Sequence, residues 1–469
     1  MRTMKLVGLV CLTAPLLAGV GRTAAALGEA SENWPQWRGP LCTGESTTGN
    51  PPLEWSEDKN VRWKAKLPGL GKGTPIVWED RVFVLSARGV GEALETPEPQ
   101  APEEDQSGRR GRRGRRGGGF FGGRGNQPTQ VHEFVVLAFD RRDGSLLWEE
   151  VAAEALPKEG THQDGSWASP SALTDGESLF AFFGSQGLFA YDLDGTVLWE
   201  RQFGQMEISN SFGEGSSPAL FGDTLVVQWD HEGDSFIVAL DKRTGEDLWR
   251  RDRDERTSWA TPLIVEVDGK PQVITSATSK IRAYDLASGE LVWECGGLTR
   301  NVIPSPVAAG GTLYVTSGFR GNALLAIKLA GASGDITDSE QVLWTFDKDT
   351  PYVPSPLLYQ DTLYFLKTNS GVLSTFDVTT GERILGPQRL ETVSNVYASP
   401  VAAAGRVYVL DREGDCEVLE HGPEYKVLAQ NHLDDHFDAS AAISGSEIFL
   451  RGNQYLYCLA EEPPRKEKF

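Results

Sequence analysis

Residues 239–249 read ALDKRTGEDLW, and this pattern decides the fold. Its first residues close a strand. Asp241 and Thr244 can bond the turn through their side chains, and Gly245 tolerates the positive φ of a tight turn. Trp249 follows four residues later on the outgoing strand. The pattern returns at 283–293 (AYDLASGELVW) and 138–148 (AFDRRDGSLLW), and one residue shorter at 190–199 (AYDLDGTVLW). A reduced copy holds Asp377, Thr380, Gly381 and Glu382 with no Trp after it. A repeat of this kind outranks any reading of length alone.

A second marker travels with the first. A hydroxyl residue and Pro open a short apolar strand at Thr74-Pro75, Ser169-Pro170, Ser217-Pro218, Thr261-Pro262, Ser305-Pro306, Ser355-Pro356 and Ser399-Pro400. Ser440-Ala441-Ala442 is an eighth, reduced copy. Successive prolines lie 95, 48, 44, 44, 50 and 44 residues apart, and the first gap holds an insertion. Such a unit accommodates four short strands, the content of a propeller blade. Eight units predict an all-β, eight-bladed β-propeller with four-stranded antiparallel blades.

Val61, Trp63, Ala65 and Leu67 alternate as a strand does, yet no hydroxyl-Pro strand precedes them. Residues 440–460 supply only three strands. The strand near 61–67 is therefore expected to complete the last blade, which leaves no open edge in the ring. Trp63, Trp148, Trp199, Trp249, Trp293 and Trp344 are the expected docking side chains, since a large indole fills the wedge between neighbouring sheets. The sixth blade has lost its Trp and the seventh its Asp-x-x-Thr-Gly turn, so regular packing is expected to weaken there.

A chain of 469 residues suggests two or three domains, but eight blades form one closed unit. The expected organisation is a signal peptide at 1–26, an N-terminal extension at 27–59 and the propeller at 60–460. A charged tail follows at 461–469. Arg2 and Lys5 make a basic start, the apolar run 6–20 is interrupted by Pro15 and Gly19, and Ala24, Ala25 and Ala26 offer a cleavage site. The run is too short and broken for a stable membrane span. The chain is expected to be exported to the periplasm or outside the cell, with an uncleaved anchor as the alternative. Cys42, Cys295, Cys416 and Cys458 are scattered and form no disulfide framework.

Residues 88–130 interrupt the first blade. Their first half is acidic and Pro-rich, and seven arginines lie between Arg109 and Arg124. Gly and Arg in this mixture cannot bury a core, so a disordered surface insertion is expected. The alternative is a tether for an anionic polymer. Elsewhere the formal charge of −21 argues against nucleic acid as a partner of the body. At residues 33–40, NWPQWRGP, Trp34 and Trp37 are expected to pack as a cap on the side or bottom of the ring.

The pattern Ala-x-Asp-x-x-(Thr or Ser)-Gly-Glu-x-x-Trp resembles the tryptophan docking motif of pyrroloquinoline-quinone-type propellers, over roughly 33–460. That family includes quinoprotein alcohol and glucose dehydrogenases. It also includes non-catalytic members such as the propeller lipoprotein of the outer-membrane β-barrel assembly machinery. The resemblance implies the fold, while function depends on the site.

In such a propeller the segments before the innermost strands emerge on one face. Here that face is expected to carry Trp167, Glu214, Trp259, Arg300, Asn301, Tyr352 and Tyr397. Aromatic plates among amides and charges suit a ligand or partner. A dehydrogenase would need a quinone and Ca²⁺, with Glu214 and Asn301 as calcium oxygens and Trp259 as a stacking surface. No adjacent cysteine pair, no CxxCH and no alignable catalytic Asp accompany them. His432 and His436 are the nearest histidine pair, on an expected inter-blade loop.

These features predict a monomeric, non-catalytic binding or scaffold module at the cell envelope, with no catalytic residues, cofactor or metal. Its partner is expected to be an envelope protein, a small ligand or a glycan. A quinone- and calcium-dependent dehydrogenase and a carbohydrate-binding propeller are the alternatives.

Overall fold

Short apolar runs joined by Gly- and Asx-containing turns fold locally into antiparallel hairpins. A computed structural model describes residues 31–93 and 127–461 and shows eight sheets of this kind. Blade one holds Ile76–Trp78, Arg81–Val90, Val131–Asp140 and Leu146–Ala155 in that spatial order. The eighth blade holds Ala442–Ser444, Glu447–Arg451 and Tyr455–Ala460, and Val61–Lys66 pairs antiparallel with the last of these. The N-terminal strand thus closes the ring.

The expected insertion lies between the second and third strands of blade one. Residues 88–90 extend the hairpin, with Val90 opposite Val131. Residues 94–126 lie outside the described residues, as do the expected leader and all of the tail beyond Glu461. Among the described residues no helix is long and apolar enough to cross a membrane.

Neighbouring blades are joined by the repeated motif itself. The Trp63 indole donates to the Arg141 carbonyl at 2.9 Å, Trp148 to Leu193 at 2.9 Å, Trp199 to Lys242 at 2.9 Å and Trp249 to Leu286 at 2.7 Å. Each ring lies on the turn glycine of the next blade. A Cβ at Gly245 would sit 2.6 Å from the Trp199 ring, and one at Gly289 2.5 Å from Trp249. Both glycines also have φ of +71°. The Trp of one blade and the Gly of the next are therefore one device.

That pairing explains the reduced repeats. Blade six has no Trp, and blade seven lacks the Asp-x-x-Thr-Gly turn; its turn glycine, Gly422, has no ring against it. In their place Tyr364 bonds the His421 ring at 2.7 Å, and Tyr359 meets the same ring edge-on at 5.0 Å. Packing does not weaken there as expected: Leu357, Val396, Ala402, Val407 and Val409 are fully buried across this junction. Blade five lacks the turn too, and its insertion compensates. Gly334–Asp335 pairs in parallel with the outer strand of blade four, and Ala332 and Ile336 pack in the same core cluster as the fully buried Trp293.

At the axis, the first marker strands are stitched by their hydroxyls. The amide of Thr74 donates to Ser171 Oγ, Ser171 to Ser217, Ser217 to Thr261, Thr261 to Ser305, Ser305 to Ser355, Ser355 to Ser399 and Ser399 to Ser440, all within 2.9–3.1 Å. This corrects the second blade, where Ser171, not Ser169, occupies the marker position. The blade-one and blade-two intervals become 97 and 46 residues.

The inner strands would leave free edges in the channel. The N-terminal segment covers those of blades one, six and seven. Trp34 exchanges both backbone bonds with Val77, Ser46 donates to Ala402, and Leu358 donates to the Thr43 carbonyl. Arg38 is buried without a carboxylate. It donates to the carbonyls of Pro400 at 2.7 Å and Pro356 at 2.8 Å, and burial lowers its pKa to about 9.

Replacing Trp249 with Ala should destabilise the protein by about 3–5 kcal/mol, read as a lower urea midpoint. Gly289→Ala should also destabilise, since both φ and the indole oppose a Cβ. An unchanged midpoint for both would refute the docking device.

Candidate ligand site at the channel mouth

Between the hydroxyl ring and the face of the loops lies a cavity of about 250 Å³. Its floor is the Trp37 indole, whose Nε1–H donates to Ser305 Oγ at 3.2 Å. Trp37 is therefore not only a cap, as its sequence position suggested. The segment that plugs the channel carries it up to the ring.

Aromatic side chains make the walls. Trp259 is held by a bond from its Nε1–H to the Gly213 carbonyl at 2.7 Å. Tyr352 stacks on Phe319 with ring centres 5.1 Å apart, and His162 meets Phe212 edge-on at 4.9 Å. Tyr397 lies beneath the Arg412 guanidinium at 4.2 Å. Burial raises the phenols of Tyr352 and Tyr397, the latter to about 12, so both are neutral donors at ordinary pH.

A chain of ion pairs spans one side. Lys72 Nζ meets Asp438 at 2.5 Å, Arg412 Nε meets the other oxygen of Asp438 at 2.6 Å, and Arg412 Nη2 meets Asp164 at 2.8 Å. Tyr397 donates to Asp164 at 3.2 Å, and the rings of His162 and His436 lie 3.4 and 3.3 Å from Asp164 and Asp438. Burial works to raise the Asp164 carboxyl, but Arg412 outweighs it and holds the group below its ordinary range. Burial likewise opposes the Arg412 charge, and the two aspartates more than offset it. Lys72 Nζ also donates to Asn453 at 2.8 Å.

The seven face residues read from the sequence separate into three groups. Trp259, Tyr352 and Tyr397 line the cavity. Trp167 and Glu214 line a second, much smaller pocket with Lys158, Glu159 and Ser185. Arg300 is exposed and forms a backbone bridge to Phe319, while Asn301 has a φ of +56° and does not line the cavity. Lys72, Asp164, Asp438 and Trp37 complete the cavity, and the buried Arg412 braces the two aspartates from behind. Their sequence contexts share no motif, so only their position before inner strands and in second-to-third-strand loops pointed to some of them.

The proposed calcium oxygens do not assemble at the cavity. Glu214 accepts from the Ser185 amide at 2.7 Å and from the Ser185 hydroxyl. Burial pushes its carboxyl up to about 7. A calcium ligand must instead be ionised and turned towards the ion. His432 pairs with Asp415 and His436 with Asp438, so those histidines do not converge. Among the described residues no group of three metal-ligating side chains comes together.

Glu159 resembles Glu214. It accepts the Ile208 amide at 3.1 Å, and burial also pushes it up to about 7. In both, the folded state holds a proton more tightly than the unfolded chain. Their contribution to stability is full below about pH 4.5 and is lost as pH rises through about 7. Urea midpoints should therefore fall across this window, and Glu214→Gln should flatten the fall. An equally steep profile in the variant would count against this assignment.

The family model for outer membrane protein assembly factor BamB matches residues 129–233 and 233–459. BamB from Moraxella catarrhalis aligns with a TM-score of 0.50 at 15% identity, covering 71% of this chain and 92% of that one. The computationally designed Ika8 protein gives 0.51 at 12%, covering 71% and 94%. Quinohemoprotein alcohol dehydrogenase ADHIIG from Pseudomonas putida HK5 gives 0.53 at 10%, covering 96% and 84%. Likeness at these identities concerns the fold. A comparison with curated proteins finds no significant match.

Proposed function

The chain belongs to the family of outer membrane protein assembly factor BamB, and from that premise we propose that it is a non-catalytic binding module working outside the cytoplasm at the cell envelope. The observation that carries this reading is the mutual saturation of the charged groups at the channel mouth. Asp164 and Asp438 are each held by Arg412, and Asp438 also by Lys72. Neither carboxylate is free to act as a base. Such a network fixes a rigid, shaped surface, which favours holding a partner over turning over a substrate.

Two features speak against the quinone-dependent alternative. Glu214 is sequestered on Ser185. The cavity, at about 250 Å³, is below the usual range of about 300–1,000 Å³ for drug-sized ligands, which is tight for a three-ring quinone with its calcium ion. The family's namesake is an assembly factor, which supports a protein partner on the face around the cavity. The exposed Arg300 and the aromatic residues Trp259 and Tyr352 are suited to contact it.

The test combines calorimetry and capture. The purified protein, titrated with pyrroloquinoline quinone and Ca²⁺, should show no saturable heat and no dye-linked oxidation of alcohols or sugars. Immobilised protein should retain an envelope protein that Arg300→Ala and Tyr352→Ala release. Tight quinone binding with turnover would overturn the proposal.

A further inference from the structure

The hydroxyl ring carries more protons than the protein accepts. Every ring hydroxyl but that of Thr74 receives one backbone N–H from the blade before it, and Ser305 also receives the Trp37 indole. An alcohol keeps one proton to donate after accepting. Among the described residues no protein acceptor is paired with these protons at Ser171, Ser217, Thr261, Ser355, Ser399 or Ser440. Those six hydroxyls line the cavity. Around the Trp37 floor the cavity is thus ringed by hydroxyls able to donate to oxygen acceptors.

The walls add two constraints. Trp259 and Tyr352 offer aromatic faces, which suit a ring with apolar C–H faces and a polar edge. The charged groups at the mouth balance: Lys72 and Arg412 against Asp164 and Asp438. A ligand with a net charge would have to compete for these pairs or stay unpaired among aromatic walls, and both are costly. A neutral ligand can use the same carboxylates and cations as fixed acceptors and donors without breaking them.

We propose that the cavity binds one neutral sugar ring, either free or at the end of a glycan. The proposal rests on the binding-module reading and names the ligand of that site. The ring's edge hydroxyls meet the serine circle and the ion-paired aspartates, and one face lies on Trp259. A volume of about 250 Å³ takes one such ring with its first waters.

The test uses the full chain and its Trp fluorescence, with calorimetry alongside. Glucose, galactose, mannose and N-acetylglucosamine are titrated, then glucuronate and glucosamine as charged versions of the same ring. At least one neutral sugar should bind saturably, with Kd of about 1 mM or tighter. The charged versions should bind about tenfold more weakly or worse. Trp259→Ala should lose binding while circular dichroism stays unchanged. Asp164→Asn unbalances the mouth towards positive charge and should shift preference towards glucuronate, a change that a purely structural role for Asp164 would not produce. Methyl glycosides binding as well as free sugars would identify a chain end, and weaker binding of glycosides a free sugar.

Charged sugars binding as well as neutral ones would overturn the proposal. So would the absence of any sugar binding. If Tyr352-dependent capture of a protein persisted in that second case, the binding-module reading would stand without the sugar. Quinone-dependent turnover would remove both.

Discussion

The contact on which the ring depends is an indole laid on a glycine of the next blade. Twisted sheets arranged around an axis leave wedges between them that aliphatic side chains fill poorly. Trp148, Trp199 and Trp249 fill those wedges and bond a backbone carbonyl at the same time. Their fit requires Gly195, Gly245 and Gly289 to lack a Cβ. The missing Trp of blade six and the missing turn of blade seven belong to one junction, which Tyr359, Tyr364 and His421 fill instead. Against a total stability of about 5–15 kcal/mol, each such junction is a large term.

Ring closure creates a second constraint at the axis. Inner strands pair on one side only, and their other edges face the channel. Hydroxyls stitch the strand starts, and the N-terminal segment pairs with the strands below. A channel becomes a cup with Trp37 at its base. The buried Arg38, bonded to three carbonyls and to no carboxylate, supplies donors to the Pro356 and Pro400 oxygens at the inner strands.

Function follows from the cup and not from the ring, since one ring hosts many functions. The carboxylates at the mouth are committed to Arg412 and Lys72, which makes the surface rigid and electrically balanced. Glu214 and Glu159 lie beside it as partly buried acids, in a pocket separate from the cup. A balanced cup with aromatic walls and a floor of donors is suited to holding an uncharged, oxygen-rich group.

Much of the fold was legible in the sequence by itself. The blade count, the docking of Trp63, Trp148, Trp199 and Trp249, and the closing strand at Val61–Lys66 all follow from local patterns at a fixed period, whereas Trp293 bonds Gln272 of its own sheet. Ser171 was not legible. Ser169 and Ser171 flank Pro170, and in extended chain both point the same way. Only the hydrogen bond from Thr74 and the one to Ser217 distinguish them. Trp259, Tyr352 and Tyr397 could be placed on the face, because aromatic residues before an inner strand are local signals. Asp164, Asp438 and Arg412 could be placed there too, but not their pairing, because Asp164 and Arg412 are 248 residues apart. What the sequence determined was each blade and its neighbour, through contacts that recur with the repeat. What the tertiary structure decided was the site, because ring closure brings together residues from opposite ends of the chain.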